Sequence, residues 1–149
     1  MTRAAVFIAL LGAGPWLAAC DDEEAAADLH GSVSRVYPLD YQSVRARLFT
    51  SELAIQYVAD REVIVSAVAR LENLSIDGPT TVDLTEHGEV VGARGNTVLP
   101  PFLSGTLRLE AYSPTAGAKV SGSFDAVLEG DDRDYAVHGD FDTQLEDHR

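Results

Sequence analysis

Three aspartates lie close together in the segment EGDDRD, at residues 129–134. Asp131, Asp132 and Asp134 carry the carboxylate oxygens that calcium prefers, so they are the candidate metal ligands of this chain. An EF-hand loop, however, requires acids at alternate positions, a glycine at the sixth position and a glutamate at the twelfth, and this spacing is absent. We therefore expect a solvated acidic surface here and keep calcium binding as an alternative.

The other residues that could do chemistry are scattered. The four histidines lack the short spacing of zinc sites. The sequence also contains no Gly-x-Ser-x-Gly elbow, no phosphate-binding glycine loop, no His-Glu-x-x-His pair and no Ser-x-x-Lys. A glycosidase-like pair of carboxylates depends on a spatial separation of about 5–10 Å that no linear pattern reveals. The sequence therefore predicts a protein that is not an enzyme and that binds no cofactor.

The only cysteine, Cys20, stands between an apolar segment and four consecutive acidic residues. Arg3 precedes the apolar residues 4–19, which are fewer than the ~20 residues that a membrane-spanning helix needs. Gly14 and Pro15 would also interrupt a helix in this segment. The pattern is typical of a secretory signal peptide at residues 1–19.

Leu17, Ala18, Ala19 and Cys20 resemble the lipobox of bacterial lipoproteins, which is recognised by the signal peptidase that cuts before a lipidated cysteine. The resemblance covers these four positions only, and all four match. It implies a lipid on Cys20 that anchors the protein in a membrane of the bacterial cell envelope, with inner membrane, outer membrane and surface left open. The alternatives are a buried thiol, or a plain secretory signal that leaves a free, oxidation-prone thiol.

Cleavage before Cys20 leaves 149 − 19 = 130 residues, an ordinary size for one domain. Residues 20–29 are acidic and lack aromatic and β-branched side chains, so we expect a tether, followed by a single β-rich domain at residues 30–149. The formal net charge is −13, and removal of Arg3 makes it −14, from 10 basic and 24 acidic residues. This charge argues against nucleic acid as a partner and favours cations or basic partners.

From residue 30 onward the apolar pattern has a period of two, and turn-forming residues recur at short intervals, which indicates antiparallel strands. The expected strands are residues 31–37, 43–50, 52–58, 62–72, 80–84, 89–92, 104–112, 118–128 and 135–145. The expected fold class is all-β, an antiparallel β-sandwich or partly closed barrel of about 8–9 strands. In one segment Asp40 could instead cap a short helix, with Tyr41, Val44 and Leu48 on one face.

The segments SGSFDAVL (121–128) and HGDFDTQL (138–145) share Gly, Phe, Asp and Leu at the same offsets. The residues between them are typical of a turn, so we expect a hairpin with Leu128 opposite Tyr135. This register pairs Phe124 with Gly139 and Phe141 with Gly122. Both rings then lie on one buried face, and each covers a glycine of the neighbouring strand. The opposite face carries Asp125, His138, Asp140 and Asp142.

A double proline interrupts the apolar segment NTVLPPFLSG at residues 96–105. Proline cannot donate to a sheet ladder, so this stretch is expected to run as an extended connection. Its apolar side chains either plug one end of the β domain or remain exposed for a partner, and a contiguous exposed patch would favour the partner. The candidate partner-binding residues are Val98, Leu99, Phe102 and Leu103.

The principal hypothesis for the function of the chain combines the expected lipid anchor, the negative charge and the absence of catalytic motifs. The chain is expected to be an envelope lipoprotein that acts as a non-enzymatic binding or structural module, with an envelope protein or a surface polymer as its partner. One alternative is a carrier of a small apolar ligand, which needs a hollow barrel interior of ~300 Å³ or more. The other alternative is a calcium-binding β domain.

Overall fold

The computed structural model describes residues 27–72 and 74–149. The expected signal peptide, Cys20 and the tether as far as residue 26 lie outside the described residues. The described chain is all-β, which confirms the expected fold class. Asp28 and Leu29, expected at the end of the tether, already belong to the first strand.

The structure contains eleven described strands and two short helices. The strands are β1 (Asp28–His30), β2 (Ser43–Leu48), β3 (Glu52–Ala59), β4 (Glu62–Arg70), β5 (Thr80–Asp83), β6 (Gly88–Val91), β7 (Ala93–Arg94), β8 (Thr97–Val98), β9 (Phe102–Ala111), β10 (Lys119–Leu128) and β11 (Tyr135–Asp147). The helices are a 3-10 helix (Ser32–Arg35) after β1 and α1 (Leu84–His87) between β5 and β6.

Eight strands form one nearly closed, barrel-like sheet in the order β5-β9-β10-β11-β2-β3-β4-β6. β1 pairs with β11 beside this path, and β7 with β8 forms a small second sheet. The pairs among the described strands are antiparallel except for β11 with β2, where residues 145–147 lie parallel to residues 46–48. β11 has 13 residues, so its first part can pair with β1 and its last part with β2. This long strand joins the two halves of the barrel.

The segment at residues 43–50, for which a helix was the alternative, forms β2. Residues 43–48 pair continuously with β3, so a helix capped by Asp40 is wrong. The backbone hydrogen bonds that such a helix would make internally are made instead with the neighbouring strand.

The expected strand at residues 31–37 is also wrong, because Ser32–Arg35 form the 3-10 helix. Gly31 has a φ of 152° and packs directly against the backbone of Ala136 and Val137 on β11, where no side chain would fit. The chain therefore turns after β1, and Val33 becomes fully buried in the core.

Large side chains fill the interior of the barrel. Tyr57 lies edge to face with both Tyr41 and Phe124, with ring centroids 5.2 and 5.8 Å apart. Tyr37 donates a hydrogen bond from its hydroxyl to the Ile64 carbonyl at 2.6 Å. The largest fully buried side chains are Tyr37, Tyr57, Phe124, Leu48, Leu53, Ile55, Ile64, Leu84, Leu107, Leu109, Leu128 and Val33.

The register predicted for the β10–β11 hairpin is confirmed. Leu128 pairs with Tyr135, and the register continues without a shift to Lys119 opposite Gln144. The two predicted Gly–Phe pairs are present, Phe124 with Gly139 and Phe141 with Gly122, and both rings are buried. The ring of Phe124 does cover Gly139. At Gly122 the nearest atoms are instead backbone atoms of Arg108 and Leu109 on β9, so the neighbouring strand requires glycine there.

α1 closes the gap between the two end strands of the sheet. Asp83 caps this helix by accepting a hydrogen bond from the Thr85 N–H at 2.8 Å. Leu84 is fully buried, and the Thr85 hydroxyl accepts a hydrogen bond from the Gly105 N–H of β9 at 3.1 Å. The pairing of β5 with β9 ends at Thr106, and the next residue, Gly105, is hydrogen-bonded to α1 instead. This bond fixes the position of Asp83 and Thr85 relative to β9.

Candidate functional site

The four candidate partner-binding residues are divided between surface and core. Val98 is 72% exposed and Leu103 is 44% exposed, whereas Leu99 is buried at 5% exposure. Phe102 is partly buried and packs against the core. The two expected outcomes, a plug and an exposed surface, therefore coexist in one segment, with Leu99 and Phe102 as the plug.

The double proline borders a surface groove of about 530 Å³. We call it the proline groove, and its lining residues are Val36, Pro100, Pro101, Glu129, Gly130, Asp131 and Tyr135. Its lining is mixed: Val36, which is 49% exposed, and the two prolines are apolar, whereas Glu129 and Asp131 contribute carboxylates. Sequence reasoning identified the prolines but missed Val36 and Tyr135, which come from distant parts of the chain.

The aspartates of the β10–β11 turn are exposed. Asp131 lines the proline groove, while Asp132 and Asp134 do not. Within residues 27–72 and 74–149, no three His, Cys, Asp or Glu side chains are grouped so that they could hold a metal ion.

A second surface feature crosses five strands on the outside of the barrel. Asp83 pairs with Thr106, Thr106 with Asp125, Asp125 with His138 and His138 with His30, on β5, β9, β10, β11 and β1 in that order. Directly opposed residues of neighbouring strands point to the same face of a sheet. We call these five residues the polar row.

His138 is held between two carboxylates of the sheet surface. Its Nδ1 lies 2.7 Å from the Asp125 carboxylate, and its Nε2 lies 3.2 Å from the Asp140 carboxylate. Partial burial lowers the pKa of His138, but the hydrogen bonds and charges of Asp125 and then Asp140 outweigh it, so the pKa is raised above its ordinary value. An imidazolium donates from both nitrogens, which suits this position.

His30 lies beside His138 at the end of the polar row. The two ring centroids are 5.0 Å apart, and the His30 Nδ1 lies 2.8 Å from the Asp28 carboxylate. The hairpin register predicted that Asp125 and His138 share an outward face. It could not predict the contribution of β1, β5 or β9, since these strands join through long-range pairing.

The polar row borders an open trough of about 570 Å³. Its floor is formed by β9, β10 and β11, one wall by β5 and α1, and the other wall by β1 and Gly31. Next to the polar row, Ser104, Val127 and Ala136 form a second row, because Val127 pairs with both of its neighbours. We call this feature the outer trough. It combines carboxylates, hydroxyls and imidazoles with an apolar strip.

Among the residues that the structure describes, no helix has the length and apolar character needed to cross a membrane. Comparison of the chain with family models, with curated proteins and with solved structures gives no match. Its function must therefore be inferred from the chemistry of its own surfaces.

Proposed function

We propose that this protein is a lipid-anchored module of the bacterial cell envelope that holds another envelope protein without catalysing a reaction. Cys20 is the anchor in this proposal, because residues 17–20 match a lipobox at all four positions. The proline groove is the contact surface. The observation that carries the proposal is the exposure of apolar side chains at this groove, such as Val36, on a packed β scaffold.

The proline groove suits a partner because its wall is rigid before binding. Each proline has φ restricted to about −65° and offers no N–H that would need an acceptor. The Pro101 carbonyl accepts a hydrogen bond from the Glu129 N–H at 2.8 Å, which ties this wall to the end of β10. Binding therefore costs little conformational entropy, while covering Val36 contributes about 25 cal/mol per Å² of apolar surface.

The occupant that we propose is an extended segment of another envelope protein with apolar and basic side chains. Glu129 and Asp131 place two carboxylates beside Val36 and the prolines in the groove, and the whole chain has a formal net charge of −13. Lys or Arg side chains of the partner would complement these charges and speed association. An anionic partner would be repelled.

The anchor is tested by the substitution Cys20→Ser in the full-length protein. We expect the natural protein to incorporate a labelled fatty acid and to be cleaved before residue 20, and the variant to lose both properties. Cys20 is the only cysteine, so no other thiol can take the label. Fatty-acid labelling or unchanged cleavage of the variant would contradict lipidation at Cys20.

The groove is tested by site-specific photocrosslinking of the full-length protein in its native envelope. A photoreactive amino acid at position 36 or 101 should give a discrete protein adduct, whereas the same probe at Thr81, an exposed residue of β5, should give none. The partner, once purified, should bind at least about tenfold more weakly to Val36→Asn, because the interface would bury an amide group without hydrogen-bond partners and lose the apolar contact of Val36. Equal adducts at positions 36 and 81, or adducts with a polymer alone, would contradict this function.

Neither alternative function has a specific observation in its favour. A carrier needs an empty interior, whereas Tyr57 and Phe124 are fully buried and their rings pack edge to face. A calcium site needs six to eight converging oxygens, and the turn aspartates are exposed to solvent. We expect the melting temperature to stay unchanged in millimolar calcium, and a rise that Asp132→Asn abolishes would revive the calcium alternative.

A further inference from the structure

β1 is a short strand beside the main path of the large sheet. It has three residues, and all three pair with β11. On the inner face Leu29 is buried opposite Gly139, and the Tyr41 hydroxyl donates a hydrogen bond to the carbonyl of Ala27, just before the strand. A short terminal strand of this kind opens locally at a lower free energy than the rest of the fold.

The outer face of the β1–β11 pairing places like side chains opposite one another. Asp28 lies opposite Asp140, and His30 lies opposite His138. The Cβ atoms of directly opposed residues are about 4.5–5.5 Å apart, and like charges in such positions destabilise a sheet. The stability of this pairing therefore depends on which of the four side chains are charged.

Each imidazole of this group contacts a carboxylate of its own strand. The His30 Nδ1 lies 2.8 Å from the Asp28 carboxylate, and the His138 Nε2 lies 3.2 Å from the Asp140 carboxylate. The centroids of the two rings are 5.0 Å apart. When both rings are protonated, the four side chains carry no net charge. When both rings are neutral, two carboxylates of neighbouring strands repel each other without compensation.

Other titratable and charged groups face these rings from the neighbouring elements. Asp125 on β10 lies 2.7 Å from the His138 Nδ1. Asp40 and Tyr41 line a surface groove together with His30. The Tyr41 hydroxyl stays neutral at ordinary pH, because burial, and then the two opposed carboxylates, raise its pKa above the usual value of about 10. The two further aspartates add negative charge, so they also favour protonated rings.

We propose that the pairing of β1 with β11 is a pH-dependent switch, which is tight while His30 and His138 are protonated and weakens when they lose their protons. Histidine is the side chain in this group that ordinarily changes its charge between about pH 5 and pH 8. Because the paired state favours the protonated rings, it binds protons more tightly than the open state does. By linkage, the pairing must then weaken as the pH rises through this range.

In an anchored protein the switch changes how far the domain can lie from the membrane. The chain leads from β1 back to Cys20. At about 3.5 Å per residue, it spans at most about 28 Å from Cys20 to Asp28 and at most about 42 Å from Cys20 to Ser32. Opening of β1 thus extends the reach of the domain, and of its proline groove, by up to about 14 Å. This consequence rests on the proposed anchor, whereas the switch itself does not.

Amide hydrogen exchange of the full-length protein tests the switch. The Leu29 N–H is bonded to the Asp28 carboxylate at 2.9 Å, so the next N–H of the strand, that of His30, points toward β11. After correction for the intrinsic exchange rate, the protection of the His30 amide should fall at least about threefold from pH 5.5 to pH 8.5. The Ala67 amide on β4 should change less. Equal protection of the His30 amide at both pH values, or an equal fall at Ala67, would overturn the switch.

Two variants locate the origin of the pH dependence. Asp28→Asn removes one of the two opposed carboxylates and keeps an oxygen acceptor for the Leu29 N–H, so the protection of the His30 amide at pH 8.5 should rise toward its value at pH 5.5. His30→Gln removes an imidazolium, so the protection of the amide at position 30 should fall at pH 5.5. An Asp28→Asn protein with the same pH dependence as the natural one would overturn the switch.

Two further variants are controls. Asp132→Asn removes the same charge in the exposed β10–β11 turn and should keep the natural pH dependence. A change equal to that of Asp28→Asn would show an effect of net charge alone and would overturn the switch. Cys20→Ser lacks the proposed site of lipidation but keeps β1, so it should also keep the natural pH dependence. Failure of the anchor and failure of the switch are thereby distinguished.

Discussion

Phe124 on β10 lies directly opposite Gly139 on β11, and its ring takes the space that a side chain at position 139 would need. The Tyr57 hydroxyl occupies the same space from β3. The residue after Phe124, Asp125, and the residue before Gly139, His138, face outward and pair with each other at the outer trough. The packing inside the barrel thus holds the register that brings the two charged groups together outside.

Gly139→Ala should destabilise the domain by about 2–3 kcal/mol, because the new methyl group would overlap the Phe124 ring and the Tyr57 hydroxyl. Urea unfolding measures the change. Gly95→Ala is the matched control: its methyl group meets no atom within 4 Å, but its φ of 57° adds a strain of about 1 kcal/mol. Equal losses at the two positions would show that backbone strain, not overlap with the ring, decides the cost.

Tyr57→Phe should cost about 1–2 kcal/mol at neutral pH, because the Asp140 carbonyl would lose the hydrogen bond that the Tyr57 hydroxyl donates at 2.6 Å. Burial, followed by the nearby Tyr41 and Asp140, raises the pKa of Tyr57 in the folded state. The stabilising effect of the hydroxyl is therefore complete below the unfolded pKa of about 10 and decreases above it. Unfolding of both proteins between about pH 7 and pH 11 measures this difference, and a difference that grows above pH 10 would contradict the assignment.

His138→Gln should destabilise the domain more at about pH 6 than at about pH 8.5. The pKa of His138 is raised in the folded state, so its stabilising effect is full below the unfolded pKa of about 6.5 and is lost as the pH rises through the folded value. The effect should stay below about 1 kcal/mol, since the ion pair is partly solvated. Chemical unfolding of the natural protein and the variant at the two pH values measures this difference. A loss of stability in His138→Gln that increases with pH would contradict a raised pKa of His138 in the folded state.

Thr85→Val should destabilise the domain by about 1–2 kcal/mol, because the Gly105 N–H of β9 would lose its acceptor on α1. Amide hydrogen exchange gives a local readout, and the Gly105 amide should exchange faster in the variant. Thr81→Val, at an exposed position of β5, is the matched control and should leave this amide unaffected. An unchanged exchange rate of the Gly105 amide in Thr85→Val would show that other contacts hold β9 against α1.

The β10–β11 hairpin could be derived from the sequence because its determinants are local. A short turn, a period of two and a repeated Gly–Phe spacing leave one register that buries both rings. The segment after β1 could not be derived in this way. The turn there requires a glycine at position 31, because a side chain would collide with the backbone of Ala136, a residue more than a hundred positions away.

The sequence by itself determined the all-β class, the strong negative charge, the resemblance of residues 17–20 to a lipobox and one hairpin, since each depends on residue type or on spacing within a short segment. Only the tertiary structure decided which surfaces exist. The proline groove joins Val36 to Pro100 and Tyr135, and the polar row joins β1, β5 and β9 to the hairpin. Strand order in a nearly closed barrel depends on long-range pairing and on burial of a common core, and neither leaves a local pattern from which these neighbours could be identified.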